Sequence, residues 1–175
     1  SMRPWRVWRH RIGTAASDDV MVLEEPDERF FVGIGASRSG EWIVIESASK
    51  TSSECWIVPA SEPELAPRSV APRRENVEYQ VDHWGGVFAI HTNLDAEDFR
   101  VMTAPVATPS EWSAFIPHEP GNRIAAFECF DGFAVMSRWI DGQQRLSIVD
   151  RAGTGRVIHV MDEPHEIEID SNPDY

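Results

Sequence analysis

Apolar residues in this chain gather in short runs instead of recurring at helical spacing. The densest are Trp42-Ile43-Val44-Ile45, Val87-Phe88-Ala89-Ile90 and Phe133-Ala134-Val135-Met136. Each follows a tight-turn signal, Ser39-Gly40, Gly85-Gly86 or Asp131-Gly132, and these signals stand 46 residues apart, from 39 to 85 to 131. A run of consecutive apolar positions of strand length predicts a strand covered on both faces. A sheet with one wet face would alternate instead. A period of about 40–50 residues built from short strands and glycine turns predicts β-propeller blades, each packed between two neighbours.

The period extends beyond the turns. First strands are predicted at residues 30–37, 77–83 and 124–130, each ahead of its turn. Third strands follow polar linkers, at 55–59, 99–104 and 145–149, and short fourth strands follow at 69–71, 112–116 and 157–161. The fourth strands end near Pro72, Pro117 and Pro164, which suits the outer edge of a blade, where a missing ladder donor is tolerated. Glu25-Pro26, Glu119-Pro120 and Glu163-Pro164 recur as exits between blades. The blades are thus expected at about 27–74, 75–119 and 120–163, within a single domain spanning 1–175. Residues 5–10 and 20–23 read as third and fourth strands of an incomplete leading blade, and 166–170 as a first strand, with 164–175 the start of a further blade or a tail. The expected fold is all-β: a partial β-propeller of about three complete four-stranded blades plus half-blades at both ends, a piece of a larger ring. Pairing of the two terminal pieces and an open, self-associating arc are both left open by this pattern. Ser1-Met2 reads as a residue left by tag removal ahead of a start methionine.

Composition narrows the function classes. With 42% hydrophobic residues and seven tryptophans among 175, the chain has the means to build a core. Its formal charge of −13 repels phosphate backbones, so nucleic acid is not an expected partner, whereas basic peptides would be attracted. No signal-like segment opens the chain and no apolar run reaches membrane-spanning length, so no membrane partner is expected. Cys55 and Cys129 fall in predicted strands far apart, and are expected as buried, reduced thiols in a cytoplasmic protein.

Candidate chemistry is sparse. Gly35-Ala36-Ser37-Arg38-Ser39 approaches a nucleophile elbow but lacks the closing glycine and leads into a β-turn, so Ser37 is not assigned as a nucleophile. His10, His83, His91, His118, His159 and His165 show no metal-ligand spacing, and no metal site is expected. The pairs Asp18-Asp19 and Glu24-Glu25 lie at turns or linkers, and the glycines form no phosphate-binding loop. No catalytic residue and no cofactor are therefore predicted. Trp42, Trp56, Phe88, Phe99, Phe127 and Phe133 are expected in the core between blades, while Trp5, Trp8 and Trp84 are candidates for an exposed surface.

The stretch Val7-Trp8-Arg9-His10-Arg11-Ile12-Gly13-Thr14 resembles the oligopeptidase B branch of the prolyl oligopeptidase family of serine peptidases. The likeness continues through residues 19–32, Ser37-Arg38-Ser39-Gly40-Glu41-Trp42-Ile43, and Thr92-Asn93-Leu94-Asp95-Ala96-Glu97-Asp98-Phe99-Arg100-Val101, where Asp98 replaces the usual Asn. The resemblance implies a seven-bladed propeller that caps an α/β-hydrolase domain and restricts access to a Ser-Asp-His triad, so that short peptides are cut after Arg or Lys. The triad and the acidic residues that receive the basic side chain lie in the hydrolase domain, and none has a matching position here. The implied partners are that hydrolase domain, the remaining blades and basic oligopeptides. The chain alone is expected to be inactive, with Arg29, Glu78 and Arg123 as candidate charges at the channel-facing ends of first strands. The alternative is a stand-alone propeller fragment that acts as a protein-interaction module.

Overall fold

The computed structural model describes residues 2–159 together with Glu163, His165, Ile167 and Ile169. Fourteen strands and one 3-10 turn, Ala16–Asp18, make up its regular structure among the described residues. A leading antiparallel pair consists of β1 (Arg6–Arg9) and β2 (Val20–Glu24). Blade one follows with β3 (Phe31–Ala36), β4 (Trp42–Ala48), β5 (Ser53–Pro59) and β6 (Arg68–Ser69). Blade two holds β7 (Tyr79–Trp84), β8 (Val87–Thr92), β9 (Arg100–Pro105) and β10 (Ser113–Ile116). Blade three holds β11 (Asn122–Cys129), β12 (Ala134–Ile140), β13 (Gln143–Val149) and β14 (Gly155–His159). Within each blade every strand pairs antiparallel with the next in sequence, giving three four-stranded meanders in an open propeller arc.

The turn chemistry explains why the meanders form where they do. Gly85 and Gly86 carry φ values of 50° and 88°, and Asp141 and Gly142 carry 50° and 75°, the left-handed pair that a two-residue hairpin with matching twist requires. The second strands run further than their apolar cores suggested, to Ala48, Thr92 and Ile140. Glu46, after the last residue of the apolar run Trp42–Ile45, is therefore inside a strand instead of leaving one.

Hydrophobic burial lies between blades. Blades one and two close on Cys55, Ile57, Val70, Tyr79, Phe88, Ile90, Met102 and Ala104, flanked by Trp42, Val44 and Trp112. Blades two and three close on Trp84, Ala89, Phe99, Val101, Ile124, Cys129, Ala134, Met136 and Val149. Fully burying a ring such as Phe88 contributes about 2–3 kcal/mol, so each seam outweighs any single surface contact. The leading pair packs Val7, Val22 and Leu23 on Val32, Ile45 and Trp56. Among the described residues two strands cover that side of blade one, and Ile34 on β3 stays 62% exposed although Ile45 opposite it on β4 is buried.

Several expectations need correction. Trp84 sits beside a turn yet is 1% exposed, because Phe115 and Phe127 meet its ring edge-on and the Arg151 guanidinium covers it at 4.0 Å. Phe133 belongs to the hairpin ahead of β12 and is exposed, stacked at 5.0 Å on Phe130, so it is not a core ring. Trp8 is exposed, while Trp5 is half-buried under the Arg6 guanidinium at 3.7 Å. Of the strand expected at 166–170, only Ile167 and Ile169 are described, and they pack on Phe130, Val135 and Leu146. Residues 160 and 161 of the expected fourth strand lie outside the described residues.

Candidate functional site

Each first strand, β3, β7 or β11, is one edge of its four-stranded sheet, the edge that forms the inner wall around the channel of a propeller. Around β7 the wall holds two adjoining hollows. One, about 260 Å³, is lined by Val44, Glu46, Cys55, Gln80, Asp82 and His91 among others. The second, about 360 Å³, is lined by Glu46, Glu78, Gln80, His91, Phe99 and Arg123 among others. Glu78 and Arg123 thus come together on one hollow, as Gln80 and His91 span both. Arg29 does not join them: it lines a separate recess with Phe30, Lys50 and Arg73 and pairs with Asp27 at 2.7 Å.

Strand alternation places these groups. Glu46 shares a face of β4 with Trp42 and Val44, towards blade two. Directly across from it on β3 stands Gly33, where an added Cβ would meet nothing within 4 Å. The missing side chain leaves one flank of Glu46 open. Burial raises the Glu46 carboxyl above its ordinary value. Among the described residues the Glu46 side chain makes neither a hydrogen bond nor an ion pair.

Other buried charges on these blades are matched. Burial also raises Asp82, although its carboxylate accepts the backbone N–H groups of Arg38 and His83, each at 2.8 Å. Arg38 itself reaches from the blade-one turn across blade two, pairing with Glu128 at 3.3 Å and lying over Phe130 at 4.3 Å. Arg151, from blade three, donates to the carbonyls of Trp84 and Asp131. Glu25, 5% exposed, receives hydrogen bonds from Arg73, the Ser47 hydroxyl and the Asp27 N–H. Burial pushes its carboxyl up, and these donors outweigh it and hold the group below its ordinary value.

The remaining candidates have structural partners. Ser37 is buried, its hydroxyl 2.9 Å from Ser39 and accepting the Trp42 N–H. Ser37, His83 and Cys129, which the 46-residue interval aligns, occupy matching buried places at the ends of the three first strands. His83 Nδ1 lies 2.8 Å from Ser39 Oγ, and burial lowers its pKa. His91 Nε2 lies 3.1 Å from the Ile124 carbonyl, which makes it the donor, and burial lowers this imidazole to about 4. His10 meets Asp19 at 2.6 Å, His118 accepts the Asp98 N–H, and His165 faces the Glu163 carbonyl. The His159 side chain lies outside the described residues. No group of three metal-ligating side chains occurs among the described residues. Cys55 and Cys129 are free, buried thiols, both pushed upward by burial. No described helix is long and apolar enough to cross a membrane.

Sequence reasoning missed Glu46 and the bridging arginines 38, 73 and 151. A period-2 reading through Ala48 would have put Glu46 on the face of Trp42 and Val44. The arginines left no local signal, since their partners lie tens of residues away.

Comparison with known proteins gives this wall its setting. Residues 3–170 match the prolyl oligopeptidase N-terminal beta-propeller domain. The chain is 35% identical over 172 residues to dipeptidyl aminopeptidase BI of Pseudoxanthomonas mexicana, covering 97% of this chain and 24% of that protein. It is 36% identical over 104 residues to protease 2 of Moraxella lacunata, covering 59% and 15%. Oligopeptidase B from Trypanosoma brucei, solved in closed form with covalently bound antipain, superposes with a TM-score of 0.83 at 30% identity, over 93% of this chain and 24% of that one. The chain therefore spans about a quarter of the length of its best-covered relatives, all of it propeller. It belongs to the prolyl oligopeptidase family, as part of the β-propeller that precedes the hydrolase domain in its relatives.

Proposed function

We propose that this chain is part of the substrate-gating propeller of an oligopeptidase B-like serine peptidase, which cleaves short peptides after Arg or Lys. The observation that carries the reading is the collinear likeness to oligopeptidase B over nearly the whole chain, in sequence and in fold. The blades described here form a wall, and a wall around a channel selects by width and charge. Its partners are the hydrolase domain, the other blades and the basic oligopeptides that pass. Nucleophile, general base and oxyanion donors belong to the hydrolase domain, so the isolated chain is inert towards peptide bonds.

The test is made on the native gene product, captured from source cells with antibody against this chain. A product several times heavier than 19.8 kDa that releases fluorophore from Arg- and Lys-terminated peptide amides, and spares folded proteins, is the expected result. A product near 19.8 kDa, or a large one that ignores basic residues, overturns the reading. One relative's name describes a dipeptidyl aminopeptidase, so the products are sized as well: internal cuts mark an endopeptidase, stepwise loss of dipeptides the other mode.

A further inference from the structure

We propose that the hollow beside Glu46, between blades one and two, is a cation subsite, which takes the ammonium or guanidinium group of a peptide in transit. This rests on the gating reading and names a residue through which the wall acts.

Glu46 borders both hollows around β7, with Cys55 beside it on β5. The facing position on β3 is Gly33, with open space where its Cβ would stand. A half-buried carboxylate without a counter-charge is costly to keep, because desolvation opposes its ionised form. Comparable carboxylates nearby have partners: Glu25 and Glu54 face Arg73, Glu128 faces Arg38, and Asp82 accepts two backbone donors. Glu46 alone among these has only the hollow to face. A peptide ammonium or guanidinium placed there forms a charge-assisted hydrogen bond with an acceptor that has shed part of its water.

The surroundings favour a cation. The titratable groups facing the two hollows besides Glu46 are Cys55 on β5, Glu78 just ahead of β7, Tyr79 and Asp82 on β7, His91 on β8 and Arg123 on β11; burial raises the Tyr79 phenol, which stays neutral. Cys55 stays a thiol, because burial and the nearby carboxylates raise its pKa well above the ordinary value. His91 is neutral at physiological pH, with burial lowering it to about 4. The remaining charges are three carboxylates and Arg123, whose guanidinium lies over the Phe99 ring at 4.6 Å. The local balance is negative.

The experiment titrates the 175-residue chain with three peptides, followed by NMR shifts. Acetyl-Ala-Arg-Ala-amide carries only a side-chain cation, Ala-Ala-Ala-amide only a terminal ammonium, and acetyl-Ala-Ala-Ala-amide no charge. Expected is saturable binding of one or both cationic peptides and none of the neutral one, and the stronger cationic peptide identifies the source of the charge. Glu46→Gln weakens that binding about tenfold. Glu62→Gln at an exposed site changes nothing. Equal binding of the neutral peptide, or no effect of Glu46→Gln, overturns the subsite. Should Glu46→Gln fold poorly, carboxyl NMR of the unsubstituted chain decides: saturating peptide lowers the Glu46 pKa if the cation sits on it and leaves it unmoved if not. Because this test reads the isolated chain, its failure removes the subsite alone. The gating reading fails only on the gene product.

Discussion

Two glutamates on neighbouring elements show how opposite environments set opposite roles. Glu25 is buried with a full set of donors, and Arg73 also lies over the Phe30 ring at 3.5 Å, tying the leading pair to blade one. Removing Arg73 leaves that carboxylate buried without its cation, so Arg73→Met should cost about 3 kcal/mol in urea unfolding at neutral pH. The pH dependence follows from sign. A folded-state pKa below the ordinary 4.5 gives stability that is complete above 4.5 and is lost as pH falls through the lowered value. Glu25→Gln should flatten that acid limb. Glu46 has the reverse shift, so its ionised form opposes folding at neutral pH and protonation relieves the cost between its raised value and 4.5. Glu46→Gln should therefore hold or raise the thermal midpoint at neutral pH, while Arg73→Met lowers it. The buried thiols give a third residue-scale outcome. Labelling of Cys55 and Cys129 by iodoacetamide should proceed only at the rate of unfolding, since both are thiols out of solvent.

At the scale of elements, the turn between β7 and β8 is where blade two is fixed to blade three. Gly85 has φ of 50°, and a Cβ there would stand 2.5 Å from an Arg151 guanidinium nitrogen. Gly85→Ala should cost about 1–2 kcal/mol from the left-handed backbone, plus whatever displacing Arg151 adds. Arg151→Ala should destabilise alone, yet cost less in the Gly85→Ala background, because the contact is already broken. A double-mutant cycle in urea reads that coupling, and strict additivity would disprove it. This turn also shows what the sequence disclosed and what it withheld. The glycine pair and the apolar run after it marked the hairpin from local pattern alone, and the same was true of the 46-residue interval. Burial of Trp84 was not legible, because its covering groups, Phe115, Phe127 and Arg151, come from residues 31 to 67 positions away. Phe133 failed for the opposite reason: an apolar residue directly after Asp131-Gly132 looks like the start of a strand, but it remains on the hairpin and stacks on Phe130. Glu46 escaped because the apolar run ended one residue earlier, although the ladder continues to Ala48. Local spacing reveals strands and turns. The groups that settle between blades depend on which blade faces which.

For the whole molecule, the balance of charge bears on the gating role proposed above. With 29 acidic against 16 basic side chains, the chain carries a net −13 and contributes a negative field to any channel it walls. Such a field raises the local concentration of cationic peptides and fades with salt, because the Debye length shrinks from about 30 Å at 0.01 M to about 8 Å at 0.15 M. On the proposed function, the effect is read on the native gene product as an Arg-directed peptidase, using two peptides that share one Arg cleavage position. One carries lysines on both flanks of that position and the other carries glutamates. Salt then acts equally on recognition of the shared Arg, and any difference reports the journey to it. Raising ionic strength over that range should lower kcat/KM for the lysine-flanked peptide several-fold and leave the other level or faster. Equal slopes would confine the electrostatics to the hydrolase site and make this wall a sieve for width alone. Unequal slopes that shrink in the Glu46→Gln enzyme would tie part of the field to one carboxylate. A difference in slope that Glu46→Gln leaves intact would instead assign the steering to the many exposed acids of the arc acting together.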